Sequence, residues 1–200
     1  MRDQLDIGPS IPRWRNRALY LLGWCVLRLS GWKVRVRLPD APRYMVILAP
    51  HTSNWDFVFG MAAVLLIQVR VNFIGKHTLF RGPQGWLFRA LGGRPVDRSA
   101  PGGIVQQSIE AFRGQARMII ALAPEGTRAR REQWKRGFYH IATGARVPIA
   151  VAYLDYARRE IGIGPIFMPT GDWNADMQPV FDFYRGITAK KPENFAVDAR

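Results

Sequence analysis

Three short apolar runs constrain the fold of this chain more than any other feature: Tyr44–Ala49, Arg117–Ala123 and Val147–Leu154. Each has the length of a strand, and helix-length segments stand between them. Lys33–Leu38, Val71–Gly75 and Ile161–Met168 are further strand candidates. Phe57–Gln68, Trp86–Leu91 and Ile104–Arg113 are helix candidates, the last two closed by Gly92-Gly93 and Gly114. Strands interleaved with helices predict an α/β fold, with a mainly parallel sheet flanked by helices.

Residues 1–12, with Pro9 and Pro12, read as a loose arm, and residues 13–30 as a helix. In that helix the basic Arg13, Arg15 and Arg17 precede a Trp/Tyr/Leu-rich stretch, a composition suited to a membrane interface as well as to a core-packing helix. The expected organisation is an N-terminal arm and interfacial helix over 1–30 and a catalytic domain over 31–200. The tail after Arg185 is polar and carries no signal. No apolar run approaches the roughly 20 residues that span a bilayer. The Arg-rich start lacks a small-residue cleavage pattern, so no signal peptide is expected. Cys25 is the only cysteine and lies in an apolar stretch, which predicts a packing residue. A reducing compartment is the expected setting.

Charge narrows the partners. The chain has 29 basic and 15 acidic residues, a net +14, so anionic partners are favoured. Nucleic acid is one such class, but no nucleic-acid motif accompanies the charge and none is expected to bind. No grouping of His, Asp or Glu has metal-ligand spacing, so no metal is expected.

Chemistry concentrates where two apolar runs end. After Tyr44–Pro50 comes His51-Thr52-Ser53-Asn54-Trp55-Asp56. An imidazole and a carboxylate there can form a base and its orienting partner. On one helix they would be separated by about 140°, so they meet only if His51 lies in a turn and Asp56 in the first helical turn. Thr52, Ser53 and Asn54 are candidate N-caps for that arrangement. A capped helix with an incidental His fits the same residues. After Arg117–Leu122 comes Ala123-Pro124-Glu125-Gly126-Thr127-Arg128. Ligand sites in open α/β sheets lie beyond the carboxyl ends of strands, and Arg128 offers a fork for phosphate, although an ordinary turn fits too. The stretch from Gly75 through Lys76 and His77 to Arg98 is rich in Gly and basic residues, as a phosphate-lined loop or a solvated surface loop would be.

Taken in order, these blocks resemble the glycerolipid acyltransferase family, which includes bacterial 1-acylglycerol-3-phosphate acyltransferases. His51 and Asp56 match its His-x4-Asp motif; Lys76, Pro83, Gly85, Gly92 and Val96-Asp97-Arg98 match its second block. Pro124–Arg128 matches its Phe-Pro-Glu-Gly-Thr-Arg block, with Ala123 in place of the Phe, and Val147-Pro148-Ile149 matches its fourth. The resemblance spans roughly residues 30–155. It implies an enzyme without a cofactor, in which His51 is the base, Asp56 orients it, and a hydroxyl attacks the thioester of acyl-CoA or acyl carrier protein directly. It also implies that Lys76, Arg98, Glu125, Gly126, Thr127 and Arg128 shape the acceptor site. The expected acceptor is a lysophospholipid such as 1-acylglycerol-3-phosphate, met at an anionic membrane surface on its cytoplasmic face by a peripheral or monotopic protein. Another lyso-lipid, such as a lyso-ornithine lipid, or water, as in an esterase or thioesterase, are the alternatives.

Overall fold

The computed structural model describes residues 4–75, 80–95 and 103–197. Eight strands form one sheet: β1 (Gln4–Asp6), β2 (Lys33–Arg37), β3 (Arg43–Ala49), β4 (Asn72–Gly75), β5 (Gly93–Pro95), β6 (Met118–Leu122), β7 (Ile149–Asp155) and β8 (Glu160–Phe167). Their order is β1-β2-β8-β7-β3-β6-β4-β5. All neighbours are parallel except β7 and β8, which form an antiparallel pair.

The apolar strands are apolar because helices cover both their faces. On β3, Tyr44 and Val46 enter one core while Met45, Ile47 and Ala49 enter the other, as the two-residue side-chain period of a strand requires. The first core receives α1 (Arg17–Leu29) and α2 (Asn54–Ile67). The second receives α4 (Gly103–Arg113), α5 (Gly137–Ala145) and α6 (Trp173–Arg185). The short α3 (Pro83–Ala90) packs beside α2, with Phe57 of α2 5.8 Å from Phe88 of α3 between ring centroids.

Helices α1 and α2 meet where α1 has no side chain. A Cβ on Gly23 would lie 2.5 Å from the Ala62 carbonyl oxygen, so glycine permits the close approach. Asn16 caps α1 by accepting from the Leu19 amide. Among the described residues no helix is long and apolar enough to cross a membrane.

Two expectations are corrected. The arm is not all loose, because Gln4–Asp6 pairs in parallel with β2 and its Gly8–Ser10 turn is tied to Asp40. Cys25 does not pack in a core; it is exposed on α1, since the buried side of that helix is carried by Gly23 and Leu27. The tail after Arg185, which carries no signal in the sequence, crosses the carboxyl ends of the strands, where it bonds Tyr156 and Thr52.

Candidate active site

The carboxyl ends of β3, β6 and β7 lie level: Ile47 stands opposite Leu122, and Ala49 opposite Tyr153. Loops leaving those ends therefore converge, and the three carry His51, Glu125 and Tyr156.

Helix α2 begins immediately after β3. Ser53 is its N-cap, and its Oγ accepts from the Trp55 amide at 3.2 Å. Asp56, three residues on, completes a capping box: its Oδ2 accepts from the Thr52 and Ser53 amides, both at 2.7 Å. Its Oδ1 accepts from the Tyr156 hydroxyl at 2.6 Å. Asp56 is fully buried, and three donors offset the cost of burying its charge. The cap that starts the helix thus also fixes the carboxylate.

His51 lies in the turn before the helix, with Nδ1 3.6 Å from Asp56 Oδ2. That is beyond a hydrogen bond and within reach of a small ring movement, as is common before substrate binds. Nδ1 is buried and has no other hydrogen-bond partner, so a proton there faces the carboxylate. The ring's exposure, 24% of the side chain, falls on the remainder, which carries Nε2. Burial lowers the His51 pKa below its ordinary value; the Asp56 carboxylate opposes this and the Arg128 guanidinium adds to it. At neutral pH the imidazole is neutral, the state a base requires.

Glu125 fixes the turn from the other side. It is buried, and its Oε1 accepts from the His51 amide at 2.8 Å. Gly126 follows at φ +67, a left-handed conformation that a side chain disfavours; a Cβ there would also lie 2.9 Å from Lys135 Cε. Thr127 Oγ1 accepts from the Ala129 amide, and Arg128 is exposed near the imidazole it influences. The structure therefore brings His51, Asp56, Glu125 and the Gly126–Arg128 turn together. Lys76 and Arg98 lie outside the described residues, as do His77, Val96 and Asp97.

Glu125 carries a testable pH signature. Burial raises its pKa to about 7, against a lowering by the His51 amide and with a further raise from Asp56. A carboxyl raised in the folded state supplies stability at low pH that is lost as pH rises from about 4.5 to about 7. Glu125→Gln removes this loss while keeping an acceptor for the His51 amide. Relative to wild type, the variant gains stability across that window, by up to about 3 kcal/mol, and levels off above it. Thermal melts of both proteins from pH 4.5 to 8 check this; parallel curves would contradict it.

Two parts of the site escaped the sequence reading. Tyr156, whose hydroxyl donates to Asp56, follows β7 directly, so the rule that sites lie past strand ends could have singled it out. The C-terminal segment gave no signal. It seats Tyr156 by accepting its amide on the Thr188 carbonyl, and the Lys191 amide donates to Thr52 Oγ1. Lys190 Nζ lies 5.4 Å from the ring centroids of both Trp55 and Tyr156.

An apolar cavity of about 150 Å³ starts at Asp56 and Phe57 and runs between α2 and the sheet. Leu48, Val46 and Tyr44 of β3 line it in succession, a span of about 13 Å at strand rise. Asp56 is the only charged group among the described lining residues.

Residues 33–154, well over half of the chain, match the family described as Acyltransferase. The crystal structure of the 1-acyl-sn-glycerophosphate (LPA) acyltransferase, PlsC, from Thermotoga maritima is similar to this chain, with a TM-score of 0.56 and 18% sequence identity. The similarity covers 87% of this chain and 83% of that one, and at that identity it is a likeness of fold. No curated protein matches.

Proposed function

The chain belongs to the acyltransferase family, and on that premise we propose that it moves a fatty acyl group from a thioester donor to the hydroxyl of a lysophospholipid such as 1-acylglycerol-3-phosphate. The observation that carries this reading is that Asp56 belongs both to the His51 pair and to the lining of the apolar cavity. An acyl chain lying in the cavity has its carbonyl end beside His51.

In the proposed reaction His51 Nε2 takes the proton of the acceptor hydroxyl. The oxygen attacks the thioester carbonyl, forming a C–O bond. The tetrahedral intermediate then collapses, the C–S bond breaks, and the leaving thiolate takes the proton from the imidazolium. Asp56 holds Nδ1–H and stabilises the imidazolium while it exists. The thioester brings its own activation, so the reaction as written uses no cofactor. Arg128, with Lys76 and Arg98, is assigned to the anionic part of the acceptor, and the Glu125-Gly126-Thr127 turn to the wall behind it. The donor is acyl-CoA or acyl carrier protein, both anionic and suited to a +14 chain.

The proposed location is the cytoplasmic face of an anionic membrane, with residues 1–30 as arm and interfacial helix and 31–200 as catalytic domain. Support comes from α1, which exposes Tyr20, Leu21, Leu22, Trp24 and Leu29, the last 88% exposed, between Arg15, Arg17 and Arg28.

The test is product analysis with purified protein, labelled acyl donors, and lysophospholipid and lyso-ornithine acceptors. Label in the diacylated lipid is expected. Free fatty acid as the main product with acceptor present would overturn transfer in favour of hydrolysis. The cavity adds a second expectation. Gly60 lines it, and a Cβ there meets only Leu48 Cδ2, at 3.9 Å. Gly60→Leu fills part of the cavity, so the longest productive donor becomes shorter by about two methylenes. At about 0.8 kcal/mol each, kcat/KM for that donor falls on the order of tenfold, while shorter donors keep theirs. Equal loss for all chain lengths would argue against the cavity as the acyl site.

A further inference from the structure

Helix α3 is short, and its solvent side is apolar at helical spacing. Trp86 is 74% exposed and Leu87 49%, and exposed Ala90 follows one turn later. Its inward side is Gly85, which is buried, and Phe88, which packs on Phe57 of α2 and Phe80. Exposed Arg81 precedes the helix and exposed Arg89 lies in its last turn. A fold that turns Phe88 and Gly85 inward while exposing a tryptophan and a leucine leaves apolar area that water solvates poorly.

The placement of α3 extends this. On α2, Phe57 is turned by roughly 140° from Ala62 and 180° from Leu66. Phe57 contacts α3, whereas Ala62 and Leu66 abut Gly23 of α1. Helices α1 and α3 therefore border α2 from opposite sides. Val58, turned about 100° from Phe57, is exposed between them, and Trp55 is exposed in the first turn of α2 on the side that faces α1. Exposed apolar side chains, with arginines near them, thus stand on α1, at the start of α2 and on α3.

We propose that α3 is a membrane-docking element, inserting Trp86 and Leu87 into an anionic lipid surface so that, with α1, it straddles the catalytic end of α2. The occupant is a lipid surface because aromatic and aliphatic residues edged by arginine match the acyl–headgroup boundary in polarity and charge. Two points of attachment on either side of α2 would fix the mouth of the site against the bilayer, where a lipid hydroxyl arrives without leaving the membrane. This rests on the reading that the acceptor is a lipid, but the docking itself is measurable without turnover.

The experiment uses the full chain and vesicles of mixed phosphatidylcholine and phosphatidylglycerol. Trp86→Glu/Leu87→Glu should weaken vesicle binding by on the order of ten- to a hundredfold with an unchanged thermal melt. Transfer to a bilayer-embedded acceptor should fall in parallel, and transfer to a dispersed short-chain acceptor should not. The milder Trp86→Phe should keep binding while reducing the quenching of protein fluorescence by brominated lipid chains. Unaltered vesicle binding in the double variant would overturn the proposal. So would retained binding with a change from dimer to monomer, which would make α3 an interface between copies. Equal loss on both acceptors with binding retained would make it a wall of the substrate site instead, and would also overturn it. His51→Ala must bind vesicles like wild type. If no acceptor is acylated yet the double variant loses vesicle binding, the docking stands and the acyl-transfer reading falls.

Discussion

His51→Ala lowers kcat by about 10²–10⁴-fold, the usual contribution of a positioned general base, and leaves the melting temperature close to wild type. The stability half follows from geometry. The imidazole is partly exposed, and among the described residues its ring comes within 4 Å of an opposite charge at Asp56, 3.6 Å away. The groups that hold the turn are the His51 amide on Glu125 and the Thr52 and Ser53 amides on Asp56, all backbone donors that survive the substitution. The activity half follows from protonation: a half-buried imidazole whose pKa is lowered is neutral and ready to take a proton at neutral pH. Steady-state rates on a soluble acceptor and a thermal melt check both halves. Wild-type turnover in a clean His51→Ala preparation would remove His51 from the mechanism.

Asp56 should behave differently, because it does structural and catalytic work with the same carboxylate. Asp56→Ala leaves the Thr52 amide, the Ser53 amide and the Tyr156 hydroxyl without their acceptor. A buried donor left unpaired costs about 1–3 kcal/mol, and loss of an N-terminal cap costs about 1 kcal/mol more. Allowing for relaxation, a loss of about 3–5 kcal/mol is expected. For a chain of this size that is a fall in Tm of about 10 °C or more. Asp56→Asn keeps an oxygen acceptor for the two amides, and that same oxygen still faces His51, while its NH2 turns toward the Tyr156 hydroxyl. It should therefore fold with a smaller loss and still lower kcat by on the order of 10²–10⁴-fold, since the charge that stabilises the imidazolium is gone. Asp56→Asn with wild-type activity, or Asp56→Ala with a wild-type melt, would separate the carboxylate from its assigned role.

The legible parts of this fold were those written in local pattern. The runs ending at Ala49 and Leu122 marked β3 and β6, and the His51–Asp56 offset marked a turn followed by a capped helix. What was not legible depends on contacts distant in sequence or on masked local signals. Helix α5 gave no signal because Gly137, Thr143 and Gly144 are weak helix formers; the buried Phe138, Tyr139 and Ile141 hold it. Helix α6 carries Pro179 in its interior, which reads as a break; Asp172 caps it and Met177, Val180, Phe181 and Tyr184 bury it. Tyr156 lies 100 residues from Asp56, and no local pattern pairs them. The C-terminal segment is mostly polar and irregular; it is held by a few scattered apolar residues, with Ile187 in the second core and Phe195 and Val197 packed against it, and no period marks them. Cys25 misled because the apolar stretch around it faces outward, which is what an interfacial helix and a buried one share in sequence.

The central claim is that His51, neutral and oriented by Asp56, is the base. The pH dependence of kcat/KM tests it most directly, measured on Glu125→Gln so that the carboxyl titrating at about 7 is absent. A base works only when unprotonated, and the folded pKa of His51 lies below its usual value. The account predicts a rate that is flat through neutral pH and falls only on the acid side of the ordinary histidine range, with that limb lost from the residual activity of His51→Ala. A rate already falling above pH 6.5 as pH drops, or an acid limb that survives in His51→Ala, would contradict it.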